Sequence, residues 1–307
     1  MRGSDFLATY AKKGLPAWEA AALSLARQGL LTPWPMVDLP LSDGTNTAVL
    51  KVASDVLAVG PLDDYVRLPL TPSVAQSIAN LSGSLLPTPW LEYQIWRAAS
   101  LKLRPVSVVP NFGANLLQYA DHSLIVDRQM REANAPPGTL VSGHKKGVVV
   151  ANFYKPGKVL LFGWYRAVLF DGAGKVTGPA PDVFDDGLQM GVPNRQPIQP
   201  KSNIHDASYL DYSHGIRLIG PVAIVNGQPM ETVSLYQHPT LSRLVSNEGP
   251  VKVPRYPSPI PPAVPRGVPV TSSALVRYDI PRGVLTMPSI MEYSLDQLAR
   301  QRIERRR

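Results

Sequence analysis

Residues 249–270 contain eight prolines. Proline fixes φ and has no backbone N–H, so this stretch cannot enter the interior of a sheet and is expected as an extended strap or linker. By the same reasoning residues 30–41, LLTPWPMVDLPL, read as irregular. Other prolines stand where a helix can open. Pro16 precedes AWEAAALSLARQG, in which Trp18, Ala22, Leu25 and Ala26 share a face and Gly29 can end the helix. Thr71 reads as the cap of a helix with Pro72 in its first turn. Pro89 opens another, with Trp90, Ile95, Trp96 and Leu101 on a buried side. A further helix is expected at 113–133, carrying His122 as an ordinary surface histidine.

Strand patterns fall at 45–60 and 65–70, and from Gly138 onward they dominate. Pro156-Gly157, Asp171-Gly172 and Asn226-Gly227 mark tight turns, the last within a hairpin. Residues 176–200 read as a long functional loop. Residues 231–246 read as helical with a break at His238-Pro239, 275–278 and 283–287 as short strands, and 294–305 as a helix. The expected fold is α+β. A helical or mixed N-terminal region (1–137) leads into a mainly antiparallel β domain (138–253), followed by a Pro-rich arm and C-terminal helix (254–307).

With 44% hydrophobic and 18% charged residues, wholesale disorder is excluded. The absence of cysteine removes disulfides, thiolate catalysis and zinc–sulfur sites. A formal charge of +8 favours anionic partners, among them an acidic cell-wall polymer. Part of that surplus is five arginines within 300–307. No apolar run is long enough to span a membrane, and the first residues lack the apolar core of a signal peptide, as a mature form would. Nucleic-acid binding is unlikely on this reading, because basic and aromatic residues interleave only at 153–155 and 164–166 and no recognised module is present. Gly-rich phosphate loops are also absent.

The chemistry concentrates in residues 201–218, KSNIHDASYLDYSHGIRL, which hold two of the five histidines, two aspartates, two tyrosines and three serines. Three readings arise. Ser213 could act as a nucleophile with His205 as base, Asp206 or Asp211 orienting it, and Arg217 binding a carboxylate. His205, His214 and an aspartate could hold a metal such as zinc. Or the residues could form a non-catalytic groove. His144 and Lys146, from GHKK at 143–146, would present positive charge to the same cleft, with Lys145 facing away. Tyr212 joins the substrate-binding set.

Ser213 to Leu218, SHGIRL, resembles the SHGCIRL signature of L,D-transpeptidases with the cysteine missing. Ile204-His205-Asp206, Asn226, the 231–246 segment and Gly249-Pro250-Val251 follow the order of the family's other landmarks. The resemblance covers residues 138–253. It implies a β-rich peptidoglycan-processing scaffold without its nucleophile. The favoured expectation is therefore a peptidoglycan-associated binding or structural protein of a bacterium or phage, placed at the cell envelope, outside the cell or on a virion. The alternative is a hydrolase of peptide or ester bonds. His144, His205, Ser213, His214 and Arg217 are expected to line one cleft.

Overall fold

The protein is described by a computed structural model over residues 1–108, 116–171, 173, 175–184 and 196–264. In chain order its elements are α1 (Gly3–Tyr10), α2 (Leu15–Arg27), β1 (Met36–Ser42), β2 (Thr47–Ala53), β3 (Ala58–Val59), β4 (Val66–Arg67), α3 (Pro72–Leu81) and α4 (Pro89–Ala98). Next come β5 (Leu101–Lys102), α5 (Leu116–Glu132), β6 (Val141–Ser142), β7 (Lys146–Val148), β8 (Leu161–Gly163), β9 (Val168–Phe170) and β10 (Val176–Pro179). The last are β11 (Gln199–Ser202), β12 (His214–Gly215), β13 (Ile219–Val225), β14 (Gln228–Glu231), α6 (Thr232–Gln237) and a 3₁₀ turn at Leu241–Leu244. The fold is mixed α+β with mainly antiparallel sheets.

Two four-stranded sheets carry the architecture. One has the order β1-β2-β13-β14 and is antiparallel throughout. The stretch expected to be irregular supplies its edge: β1 alternates buried Leu39 and Leu41 with exposed Asp38, Pro40 and Ser42. Pro40 is tolerated because β1 pairs only with β2, so a missing N–H on the open side costs nothing. The second sheet has the order β11-β8-β7-β12, with β12 parallel to β7 and the other pairs antiparallel. Asn226 and Gly227 both have positive φ (49° and 80°), the geometry of the tight turn joining β13 to β14.

The boundary expected at residue 138 runs through a shared core. β2 from the first half pairs with β13 from the second, and one buried cluster extends from Phe6 to Tyr256. Within 176–200, expected as loop, β10 and the start of β11 are strands. The Asp171-Gly172 turn falls partly outside the described residues, although β9 and β10 pair on either side of it. The elements expected at 275–278, 283–287 and 294–305 lie outside them entirely.

Residues 249–264 form the expected strap, laid across α3. Helix α3 buries Gln76, Ser77 and Asn80, which would be costly without partners. The strap supplies them: Tyr256 N donates to Gln76 Oε1 (3.1 Å), Asn80 Nδ2 donates to Ile260 O (2.6 Å), and Arg255 Nη1 donates to Asn80 Oδ1 (2.6 Å). Farther in, the Tyr256 hydroxyl accepts from Leu160 N (2.9 Å) and donates to Val149 O (2.7 Å). Tyr256→Phe leaves two buried backbone groups unpaired and is expected to destabilise the protein by about 1–3 kcal/mol. A shift of the urea midpoint checks this.

Candidate functional site

The site grows from the junction of β7 and β12, where Lys146 aligns with His214 and Gly147 with Gly215. Glycine allows the close approach at both inner positions. A Cβ on Gly215 would come within 2.6 Å of Lys145 Cβ, and one on Gly147 within 2.6 Å of Glu92 Oε1. The glycine of the SHG run is thus explained by close strand packing.

Behind this junction lies a largely buried ionic network. Arg67 donates through Nε (3.0 Å) and Nη2 (2.7 Å) to Asp55 Oδ2, and through Nη1 to Asp127 Oδ1 (2.6 Å). His144 Nε2 meets Asp55 Oδ1 at 3.0 Å. Burial alone would raise the Asp55 carboxyl, but Arg67 and His144 outweigh it and hold the group far below the ordinary range. Burial lowers His144 to about 4 despite Asp55, so its imidazole is neutral at pH 7.

In front of the junction Asp211 gathers the polar groups. Its Oδ1 accepts the Ser213 amide (2.7 Å) and the Ser213 hydroxyl, and its Oδ2 accepts the Tyr209 hydroxyl (3.0 Å) and faces Lys146 Nζ at 3.8 Å. Burial would raise this carboxyl, yet His214, Lys146 and the Ser213 bonds bring it down to about 2. His214 is fully buried and neither ring nitrogen has a hydrogen-bond partner among the described residues; burial lowers it to about 4. The His205 ring stacks on Tyr209 at 3.8 Å, and Tyr209 lies 5.7 Å from His214. Lys146, with 15% of its side chain exposed, sits 4.8 Å from the Trp164 ring centroid.

Several expectations are corrected. The five side chains expected to line one cleft divide into an inner and an outer group. Ser213 is buried and gives its hydroxyl to Asp211, not to His205. Asp206 does not orient His205: it pairs with Lys158 at 2.6 Å and faces solvent. Arg217 is buried and ties β2 to β6 by donating to Ala53 O (2.5 Å) and Val141 O (2.7 Å), so its fork is spent on the backbone. Tyr212 packs in the core, and its carbonyl accepts from Lys145 Nζ at 2.5 Å. Lys145 is buried too, where burial, reinforced by the charge of Arg67, lowers it to about 7. His122 is fully buried against Tyr212, 5.1 Å between rings, and is not a surface residue. Among the described residues no three His, Asp or Glu side chains are grouped to hold a metal ion. His205, Tyr209, Asp211, Ser213, His214 and Lys146 are brought together.

The sequence reading missed Asp55, Arg67 and Asp127, which no local pattern marks, and the role of Trp164. Trp164 holds φ at +63°, unusual for a bulky residue, and its Nε1 donates to His144 O at 3.2 Å. It therefore links the inner network, through the His144 backbone, to the face on which Lys146 rests.

No helix among the described residues is long and apolar enough to cross a membrane. Comparison with protein-family models, curated proteins and solved structures returns no match to this chain.

Proposed function

We propose that this chain is a peptidoglycan-associated binding or structural protein of a bacterial or phage-type cell envelope, on an L,D-transpeptidase-like scaffold without the cysteine. Its ligand, an anionic polymer, meets the partly exposed rim of Lys146, Trp164, His205 and Tyr209. The observation that carries this reading is the state of Ser213. Its hydroxyl is buried and bonded to a carboxylate lowered to about 2, a poor base at neutral pH, while no imidazole is positioned to take its proton. The rim keeps a cation over the Trp164 face, near the stacked rings of His205 and Tyr209, whose hydroxyl shares Asp211 with Lys146, and the chain carries net charge +8.

Co-sedimentation with purified peptidoglycan tests the proposal. Lys146→Ala is expected to weaken retention about three- to tenfold, and more steeply at low salt than at high. Ester and peptidoglycan turnover is measured alongside. Turnover that Ser213→Ala abolishes would establish the hydrolase alternative and overturn this reading.

A further inference from the structure

A cavity of about 510 Å³ lies between the C-terminal end of α4, β1 and the segments around Ala167 and Ala180. Its walls include Leu39, Pro40, Trp96, Arg97, Lys102 and Asp182. None of the residues of the first site lines it. The volume falls within the range of small-molecule sites, about 300–1,000 Å³.

Its polar groups have a common theme. Asp182 places one carboxylate oxygen on the Tyr93 hydroxyl (3.0 Å) and the other on Arg97 Nε (3.1 Å). Both Arg97 and Asp182 are about half exposed, with side-chain values of 50% and 54%. Arg97 uses only Nε in this bond and lies over the Tyr93 ring at 5.7 Å, which leaves its Nη donors for a second acceptor. Lys102 stands over the Trp96 ring at 5.2 Å and donates to Arg97 O at 3.1 Å. The Trp96 indole N–H is buried without a partner among the described residues. Two cations, Arg97 and Lys102, thus line a cavity that holds one carboxylate, and that carboxylate, paired with Arg97, hangs from a solvent-exposed position. Leu39, Pro40 and Ala98 add an apolar wall.

We infer that this cavity is a second binding site, for a small molecule bearing a carboxylate on a compact apolar body. The ligand's carboxylate takes the Arg97 guanidinium that Asp182 now occupies, so Asp182 is an internal competitor. Its removal should strengthen binding, the reverse of what a purely structural ion pair would give.

The test uses the full chain and N-acetyl-L-alanine as probe, with N-acetyl-L-alanine amide as the uncharged control. Binding is followed by calorimetry and by the Trp96 indole ¹H–¹⁵N resonance. The acid should bind saturably and the amide not. Asp182→Ala should bind the acid about fivefold tighter, and Arg97→Gln about tenfold weaker. Lys102→Gln serves as a second weakening variant should Arg97→Gln lower the melting temperature. Equal response to acid and amide, or no saturable response in both wild type and Asp182→Ala, overturns the inference.

Discussion

Arg67→Met is expected to lower stability at pH 7 by about 3–5 kcal/mol, the scale for breaking a buried ion pair from one side. Against the 5–15 kcal/mol that typically holds a domain folded, this approaches complete unfolding. The guanidinium is fully buried and serves Asp55 and Asp127 together, with Ser123 Oγ and the Tyr65 hydroxyl at its margins. Methionine fills much of the volume but leaves the fully buried Asp55 with only His144 and the Val56 amide. The pH dependence separates this cause from lost packing. In the wild type the Asp55 carboxyl is depressed by Arg67, so its contribution is present above the unfolded value near 3.9 and is lost only as pH falls through a still lower folded value. In the variant burial acts unopposed by Arg67 and raises the carboxyl, which can then take up a proton. The gap between the two proteins should narrow as pH falls from 7 to 4.5. Urea midpoints at the two pH values measure it. A gap independent of pH would assign the loss to packing rather than to an abandoned charge. Asp127→Asn should cost less than Arg67→Met, because its side chain is 16% exposed and water can take its place.

The parts of this molecule that were legible in the sequence are those governed by local stereochemistry. Pro72 and Pro89 open α3 and α4, and Thr88 caps α4 by accepting from Leu91 N at 3.1 Å. Thr71 occupies the cap position of α3 but gives its hydroxyl to Glu19, a contact 52 residues distant that no cap rule contains. Asn226-Gly227 announces its own turn. The strap is visible because proline excludes it from a sheet, though what it covers depends on α3. The edge strand β1 was hidden for the complementary reason: Pro40 argues against a strand only if both sides are paired. In the candidate site, composition marked the segment at 201–218 but not which side of it faces inward. The alternation rule placed His144 and Lys146 on one face, and assumed that one face of β7 meets solvent. β7 lies between β8 and β12, and the segment around it is enclosed on both sides, so His144, Lys145 and His214 are all buried. Asp55, Arg67 and Asp127 are scattered along the chain and have the types expected on a surface. Their burial follows only from their mutual charge neutralisation in space.

The same enclosure makes the fold acid-labile through its histidines, and His214→Leu isolates one share of that effect. The imidazole of His214 is fully buried, both nitrogens are unpaired among the described residues, and burial lowers it to about 4. Asp211 pulls the other way, while Lys146, Lys145 and His205 reinforce the burial; the Tyr209 ring completes the surroundings. A base with a depressed folded value binds fewer protons folded than unfolded. Stability from keeping it neutral is therefore present above about 6.5 and is lost as pH falls toward about 4. A drop from 6.5 to about 4 corresponds to about 3 kcal/mol across that interval. His144, lowered to about 4 by burial despite Asp55, adds a loss in the same window. Asp211, lowered to about 2, contributes only below the unfolded carboxylate value near 3.9, so its loss comes later in an acid titration. Leucine at 214 removes an unpaired polar ring without adding one. Near pH 7 the variant should match or exceed the wild type in stability. Between pH 6.5 and 4.5 it should lose about 2–3 kcal/mol less. Denaturant midpoints taken across this range give the comparison, and the His214 ring proton, followed by NMR in the wild type, should stay at its neutral position down to pH 5. Parallel curves for the two proteins, or a ring that titrates near 6.5, would mean that the imidazole is hydrated and that the junction of β7 and β12 opens to water.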